Sequence, residues 1–363
     1  MMAAKGKGKM RSKKTEQPSG GAKRPAGARK PAAPAPDAAP SAPNRPPRPT
    51  QEPPKNIVAL FLRAAGAPFW IASIMPVLIG SALPLWLRPD GFVFSWARAI
   101  EALVAMVLLH AGADLANEYY DYLSAADSGN PLRGGLSGGS GILPDGKASP
   151  RFLFGSFVAC FAVGIALGLH LNAVSEGNVI LWTGLAGVLG GFFYSAPPLR
   201  FSYRGLGEIV LGLCFGVLPV MGAYYVQTGT LSGHVVLASL PITFAIVLVL
   251  WVNQIPDVRA DADAGKRTMV VRIGARNAAR VGVPVLAALV YATLFASVFT
   301  GSIVPLVLVA VLAFGFARTV VVDCWQFYDE PAELRQAQVM ALKFHLSIGL
   351  TIAIALALIA VIK

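Results

Sequence analysis

Nine apolar stretches of membrane-spanning length follow one another from residue 66 onward. A bilayer core of about 30 Å takes about 20 predominantly apolar residues per helix. Only 14% of the residues are charged, against roughly 25% in soluble proteins. This pattern excludes a soluble globular fold and predicts an all-α membrane protein with about nine transmembrane helices. The predicted segments are 66–87, 93–119, 151–172, 178–195, 205–227, 234–254, 278–299, 302–323 and 341–362.

The first 56 residues differ in composition from the rest. They hold 13 Lys or Arg, 3 Asp or Glu and 12 of the 27 prolines, and no apolar run begins before Ile57. Such a segment cannot bury enough apolar surface to offset the entropy of ordering. We therefore expect a disordered, basic, Pro/Ala-rich tail over 1–56 and a transmembrane domain over 57–363. The net charge of +12 resides mainly in the tail and does not indicate a nucleic-acid partner.

Basic residues are distributed unevenly between the two ends of the predicted helices. The connections after even-numbered segments, counted with the first six residues of the segment that follows, hold 13 Lys or Arg, whereas those after odd-numbered segments, counted in the same way, hold only Arg88 and Arg98. Cytoplasmic loops carry an excess of Lys and Arg. With nine helices the basic tail lies on the same side as the even-numbered loops. We predict a multi-pass protein of the cell (inner) membrane whose tail and even-numbered loops face the cytoplasm.

Acidic residues cluster at the ends of the second and sixth predicted segments. Asn117 and Asp121 are four residues apart and therefore share a helix face. Asn253, Asp257 and Asp261 repeat this spacing, 136 positions further along. An ionised acid within a membrane segment costs at least about 2.5 kcal/mol and by default marks a functional site. Both clusters are predicted on the cytoplasmic side, so we expect them to form one site.

Carboxylates that converge on one cavity need a cation between them. At 4 Å each pair repels by about 1 to 4 kcal/mol, depending on the effective dielectric. Mg²⁺ takes oxygen ligands and joins one or two carboxylates to a phosphate. Basic residues that could hold the remaining phosphate oxygens lie on the same side. The sequence therefore predicts a magnesium-bridged diphosphate site, with Lys266, Arg267, Arg133, Arg200 and Arg204 as candidate phosphate contacts.

The remaining polar residues near the helix ends carry no such pattern. Taken singly, they are expected to be solvated residues at the water interface; these are Asp114, Glu118, Asp145 and Asp263. The histidines show no partner spacing, and we assign no chemistry to His110, His170, His234 or His345.

The two acidic motifs resemble those of the UbiA superfamily of intramembrane prenyltransferases. They read NEYYDYLSAAD (117–127) and NQIPDVRADADAGKRT (253–268). The stretches YSAPPLRFSYRGLGE (194–208) and GAYYVQTG (222–229) are similar to the 1,4-dihydroxy-2-naphthoate polyprenyltransferase, or menaquinone, branch. Glu118 stands where many members have Asp, and Pro256 where menaquinone-type members often have Arg. The resemblance covers residues 60–362 and leaves the tail unmatched.

This resemblance implies a UbiA-type helical bundle and a magnesium-dependent reaction. A polyprenyl group would pass from an allylic polyprenyl diphosphate to an aromatic acceptor, expected to be 1,4-dihydroxy-2-naphthoate. Asn117, Asp121, Asp257 and Asp261 would be the catalytic residues, and the aromatic face of Tyr194 could stabilise the allylic cation. The implied metal ligands are Asn117, Asp121, Asp127, Asn253, Asp257 and Asp261.

Two alternatives remain at this stage. Intramembrane acids also mark the ion pathways of transporters, although transporter acids favour the membrane midplane and these lie at helix ends. Within the prenyltransferases, the acceptor could instead be 4-hydroxybenzoate, homogentisate or a lipid alcohol.

Overall fold

The computed structural model describes residues 56–124, 136, 139–305, 311 and 313–362. Of residues 360–362 it describes the backbone alone. Within these ranges all regular secondary structure is helical. Almost the whole predicted tail lies outside the described residues, as do two candidate site residues, Asp127 and Arg133. The all-α architecture expected from the apolar stretches is confirmed.

The helices follow the apolar stretches closely. We label them in chain order, treating continuous helical stretches as single elements. They are α1 (Ile57–Ala64), α2 (Ala67–Leu87), α3 (Trp96–Leu123), α4 (Pro150–Ala173), α5 (Val179–Phe192), α6 (Gly207–Thr228), α7 (Gly233–Gln254), α8 (Val258–Asp263), α9 (Met269–Ile273), α10 (Ala275–Phe299), α11 (Phe314–Phe327) and α12 (Leu334–Ile362).

Seven helices in the described ranges are long and apolar enough to cross a membrane: α2, α3, α4, α6, α7, α10 and α12. The segment predicted over 178–195 forms the 14-residue α5, which is apolar but shorter. The segment predicted over 302–323 includes residues outside the described ranges. The chain is a multi-pass membrane protein, and the count of nine stays a prediction.

Local sequence signals explain where several helices begin and end. The side chain of Ser95 caps α3 by accepting a hydrogen bond from the Arg98 amide at 3.4 Å, and Ser149 caps α4 through the Phe152 amide at 3.2 Å. These caps satisfy amides that have no intrahelical partner. Gly229 ends α6 with a φ of 69°, a conformation that favours glycine.

Close helix packing depends on glycines without room for a side chain. A Cβ at Gly80 of α2 would lie 2.4 Å from the Val220 carbonyl oxygen of α6, and one at Gly216 of α6 would lie 2.1 Å from Thr243 Oγ1 of α7. Small residues allow membrane helices to approach in this way. α6 also contains a π-helical turn over Leu213–Val217, a feature that is frequent at functional sites.

The ends of α3 and α7 meet at one end of the bundle, where two connections cross. The segment 193–206 folds back on itself, with the Phe201 amide donating to the Phe193 carbonyl oxygen at 3.0 Å. The segment 255–268 packs beside it, because the Arg267 amide donates to the Tyr203 carbonyl oxygen at 3.1 Å. Both acidic motifs lie at this end.

Candidate functional site

Both acidic motifs line one cavity of about 270 Å³. Asn117 and Asp121 come from the last two turns of α3, where their spacing places them on the same face. Asn253 comes from the end of α7, while Asp257 precedes α8 and Asp261 lies within it. The fold thus brings the residues of the two motifs together although 136 positions separate them.

Asp121 is the most enclosed acid of this cavity. Its side chain is 2% exposed, and Oδ2 lies 2.8 Å from Lys266 Nζ. The same ammonium group lies 3.9 Å from Asp261 Oδ1. A buried charge is strongly unfavourable unless it is paired. Lys266 therefore offsets the repulsion between the carboxylates of the two motifs.

A tyrosine and a serine also lie close to Asp121. Tyr203 OH donates to Asp121 Oδ1 at 3.0 Å and lies 2.7 Å from Ser124 Oγ. Burial and then the charge of Asp121 raise the pKa of Tyr203 to about 12, so its hydroxyl remains a donor at neutral pH. No spacing in the sequence indicates this contact, because Tyr203 reaches Asp121 only through the fold of the 193–206 connection.

Asn117 is held by the same connection, since Ser195 Oγ donates to Asn117 Oδ1. In the second motif, Asn253 Oδ1 is buried and has no hydrogen-bond partner among the described residues. Burial raises the pKa of Asp261 to about 6, with a smaller contribution from Asp257 and an opposing one from Lys266. A cation near Asp261 would favour its charged form.

These donors suit a hard divalent cation. Carboxylate and amide oxygens are the ligands that Mg²⁺ prefers, and the unpartnered Asn253 Oδ1 is such an oxygen. Within the described ranges, no three His, Cys, Asp or Glu side chains converge closely enough to bind a metal by themselves. Instead, Lys266 lies between Asp121 and Asp261. The residues fit a cation that is shared with a further oxygen-rich ligand.

The candidate phosphate contacts differ in position. Lys266 lines the cavity, whereas the described arginines of the set are not part of its lining. Arg200 Cζ lies 5.2 Å from the Tyr203 ring centre, and Arg204 donates to the Pro198 carbonyl oxygen at 2.9 Å. Arg267 is exposed beside the cavity. A contact between these arginines and a diphosphate stays a prediction.

Tyr194 lines the cavity directly after α5. Its hydroxyl lies 3.2 Å from where a Cβ at Gly207 would be, so the glycine makes room for the ring. Its carbonyl oxygen accepts a hydrogen bond from Ser202 Oγ at 2.8 Å. Stabilisation of a carbocation by this ring stays a prediction.

Two acids expected to be solvated residues at the water interface have other surroundings in the structure. Glu118 is buried and accepts a hydrogen bond from the Ser140 amide at 2.9 Å. Asp114 lies 3.3 Å from His110 and lines the cavity. The expectation fails for Glu118 because loop 139–148 covers it, whereas Asp114 is partly exposed and contacts His110. Asp145, which pairs with Lys147 at 2.8 Å, and Asp263, which is exposed, are as expected.

A buried acid that the motifs do not include is Glu208 of α6. Glu208 Oε1 accepts a hydrogen bond from the Met269 amide at 3.0 Å, at the start of α9. This contact anchors the segment that carries Lys266. Its only signal in the sequence is an acid directly after a Gly-Leu-Gly turn.

A second cavity, of about 240 Å³ and almost wholly apolar, adjoins the first. His110, Ala113, Gly191, Cys214 and Phe215 line both. The second cavity lies among α3, α4, α5 and α6. Apolar side chains at its rim are exposed on the outer surface of the bundle, namely Ile165, Leu169, Leu181 and Leu185. The polar site therefore adjoins an apolar chamber whose wall includes exposed apolar side chains.

Known sequences resemble most of this chain. The model of the "UbiA prenyltransferase family" matches residues 73–360. A 1,4-dihydroxy-2-naphthoate octaprenyltransferase of Haemophilus influenzae is 30% identical over 223 residues, which cover 59% of this chain and 68% of the relative. A protein of the same name from Bacillus subtilis is 28% identical over 246 residues, with 67% and 74% covered.

Solved structures share the fold. The apo structure of a UbiA homolog from Aeropyrum pernix K1 superposes with a TM-score of 0.62 at 18% identity and covers 78% of this chain and 97% of that one. A UbiA homolog from Archaeoglobus fulgidus bound to GPP and Mg²⁺ gives a TM-score of 0.56 at 18% identity, with 80% and 99% covered.

Proposed function

This chain belongs to the UbiA prenyltransferase family and is a prenyltransferase, and from that premise we propose that it transfers a polyprenyl group from an allylic polyprenyl diphosphate to 1,4-dihydroxy-2-naphthoate. The observation that carries the proposal is the convergence of both acidic motifs, with Lys266, on a cavity that continues into an apolar chamber. A charged diphosphate and a long hydrocarbon need these two adjoining environments.

The polar cavity would bind the diphosphate. Mg²⁺ held by Asn117, Asp121, Asp127, Asn253, Asp257 and Asp261 would stabilise the charge that develops on the leaving oxygen. Lys266 lines the cavity, with its ammonium group 2.8 Å from Asp121 and 3.9 Å from Asp261, and would contact a phosphate oxygen of the bound diphosphate. The structure of the Archaeoglobus fulgidus homolog bound to GPP and Mg²⁺ supports this use of the fold.

The apolar chamber would hold the isoprenoid chain and exclude water. The allylic carbon becomes cationic as its bond to the diphosphate breaks, and water would capture such a cation. Tyr194, at the boundary between charged and apolar walls, can present its ring face to that carbon. We place this site on the cytoplasmic side of the cell (inner) membrane, because basic residues concentrate at that end of the bundle.

Two observations support 1,4-dihydroxy-2-naphthoate as the acceptor. Relatives that carry its name cover most of the membrane domain, and residues 117–121 and 194–229 are similar to the menaquinone branch. A hydroquinone-like ring is electron-rich enough to attack an allylic cation. Attack at the carboxyl-bearing carbon and release of that group as carbon dioxide would yield a demethylmenaquinol.

The acceptor is tested by supplying purified protein with geranylgeranyl diphosphate, Mg²⁺ and one acceptor at a time. We expect a product from 1,4-dihydroxy-2-naphthoate whose mass corresponds to the prenylated, decarboxylated quinone, together with carbon dioxide. Omission of Mg²⁺ should abolish it. A product from 4-hydroxybenzoate alone would move the protein to the ubiquinone branch of the family, and uptake of an ion without any product would favour the transporter alternative.

Filling the apolar chamber should shorten the donors that the enzyme accepts. Gly184 of α5 lines this chamber, and a Cβ there would meet nothing within 4 Å. A Gly184→Leu side chain would occupy space needed by a long isoprenoid, and overpacking of this kind costs about 1–3 kcal/mol. We expect kcat/KM for octaprenyl diphosphate to fall roughly tenfold or more, while geranyl diphosphate is used as before.

Gly155 provides the matched control, because a Cβ there also meets nothing within 4 Å but the residue lies outside the chamber. Gly155→Leu should leave the ratio of the two donors unchanged. An unchanged ratio in Gly184→Leu as well would show that the isoprenoid chain lies elsewhere.

A further inference from the structure

A second polar group lies on α3 one to two helical turns before Asn117. His110 of α3 is buried, with Nε2 3.3 Å from Asp114 Oδ2 and Nδ1 2.6 Å from Ser73 Oγ. Ser73 belongs to α2, so the group joins two helices. His110 and Asp114 both line the cavity. Since His110 is satisfied on both ring nitrogens, Asp114 is the member of the group available to a ligand.

The backbone turn before α2 leaves room for the Asp114 carboxylate. Gly66, in the turn before α2, has a φ of 62°. A Cβ at this position would lie 2.2 Å from Asp114 Oδ2. Any side chain there would thus displace the carboxylate from His110. The turn is fixed by Trp70, whose Nε1 donates to the Ala65 carbonyl oxygen at 2.7 Å.

Asp114 lines the cavity and is partly exposed. Its side chain is 33% exposed, in contrast to the 2% of Asp121. Phe69 and Phe215 line the same cavity, and the Phe215 ring lies 4.4 Å from that of His110. An aromatic ligand would find a carboxylate and two aromatic faces on this part of the cavity lining.

The position of Asp114 relative to the acidic motifs suits an acceptor. Seven residues of helix separate it from Asp121, which corresponds to about 10 Å along the axis of α3. This distance leaves room for a diphosphate beside Asp121 and for a planar ring beside Asp114. The ring would then lie beside the reacting carbon of the donor, while the isoprenoid chain extends into the apolar chamber.

We propose that Asp114, positioned by His110 and Ser73, accepts the hydroxyl proton of the aromatic acceptor. This inference rests on the proposed function. The O–H bond breaks, its proton passes to Asp114, and the electron pair on oxygen enters the ring. The ring carbon then bonds to the allylic carbon, while the diphosphate leaves with the electron pair of its C–O bond.

The proton is returned in the second half of the reaction. When the carboxyl group leaves as carbon dioxide, the electron pair of the broken C–C bond restores the aromatic ring and the charge on its oxygen. Asp114 gives the proton back to this oxygen, and the quinol is released. The step needs no oxidant or further reactant, and Asp114 ends as it began.

The test compares an acceptor that carries the hydroxyl proton with ethers in which a methyl group replaces that proton. Wild type and the Asp114→Asn and His110→Gln variants are assayed with 1,4-dihydroxy-2-naphthoate and with each of its mono-O-methyl ethers. We expect wild type to discriminate against the ether at the hydroxyl that faces Asp114. Asp114→Asn should lose roughly 10²–10⁴-fold in kcat with the parent acceptor and no longer distinguish it from that ether, with the KM for the donor unchanged. His110→Gln should show a smaller loss of the same kind.

A second histidine–carboxylate pair supplies the control. His170 Nδ1 lies 2.6 Å from Glu101 Oε1 at the opposite end of α3, and neither residue lines the cavity. Glu101→Gln and His170→Gln should leave both acceptor rates unchanged. Protection from thermal unfolding by geranyl diphosphate and Mg²⁺ verifies that each variant is folded and binds the donor.

The outcomes separate the inference from its premise. If wild type prenylates the parent acceptor and Asp114→Asn keeps the discrimination between hydroxyl and ether, the role of Asp114 is wrong and the proposed function stands. If wild type prenylates no hydroxyaromatic acceptor, both the proposed function and the inference are wrong. If Asp114→Asn fails to bind the donor, unchanged discrimination in His110→Gln and in Ser73→Ala would overturn the proposal.

Discussion

Asp121→Asn is expected to lose essentially all turnover, by roughly 10³-fold or more, and Asp257→Asn to do the same. Each substitution keeps the shape of the side chain but removes a negative charge from the cavity that both residues line. Each motif alone supplies too few oxygen ligands to hold a cation against a diphosphate. The measurement is the steady-state rate at saturating Mg²⁺ with purified, membrane-inserted protein.

Asp263→Asn is the matched control, because Asp263 lies on α8 near Asp261 but is exposed and does not line the cavity. This variant should retain normal turnover. Near-normal activity of Asp121→Asn or Asp257→Asn at saturating Mg²⁺ would contradict a joint metal–diphosphate site. Size-exclusion behaviour like that of wild type excludes loss of the fold as the cause.

Lys266→Met is expected to reduce turnover by roughly 10²–10³-fold, the effect of removing one preorganised donor from a developing negative charge. It should also destabilise the protein. Its ammonium group is 2.8 Å from Asp121, which is 2% exposed, and removal of one partner of a buried pair costs about 3–5 kcal/mol. The two effects are measured separately, by kinetics and by thermal unfolding.

The double variant Lys266→Met with Asp121→Asn distinguishes these effects. Removing both charges should restore part of the lost stability without restoring turnover, because the unpaired buried carboxylate is gone. Lys147→Met is the control, since Lys147 forms an exposed pair with Asp145. A Lys266→Met enzyme with a normal rate and a normal KM for the donor would remove Lys266 from the site.

The sequence predicts the elements of this site whose position follows from helical spacing. Asn117 and Asp121 share a face because they are four residues apart, and the apolar run before them places them at a helix end. Helical spacing does not predict the contacts of Tyr203 and Ser195. They contact the first motif only because the 193–206 connection folds back over the end of α3, and no periodicity encodes that path.

Glycine shows the same limit within the helices. The spacing of Gly164 and Gly168 predicts close packing for both. Gly164 does pack, since a Cβ there would lie 2.8 Å from Leu109, but Gly168 faces the apolar chamber with nothing within 4 Å. A missing side chain either admits a neighbouring helix or leaves a space, and the sequence of one helix does not determine which.

His110 and Asp114 also have a spacing that the sequence displays, four residues along one helix. Many pairs of polar residues near helix ends have this spacing, so the pattern alone indicates no function. The contact indicates a functional role only together with two further observations: Ser73 of another helix contacts His110, and both His110 and Asp114 line the cavity.

The apolar chamber has a consequence for how rates depend on substrate. Leu169 and Leu185 line this chamber and are exposed. In a multi-pass membrane protein we expect such apolar side chains to face lipid, so that a donor dissolved in the bilayer enters sideways without passing through water. The encounter is then two-dimensional. Turnover should follow the mole fraction of donor among the lipids instead of its bulk concentration, and added inert phospholipid or detergent should slow the enzyme by surface dilution alone.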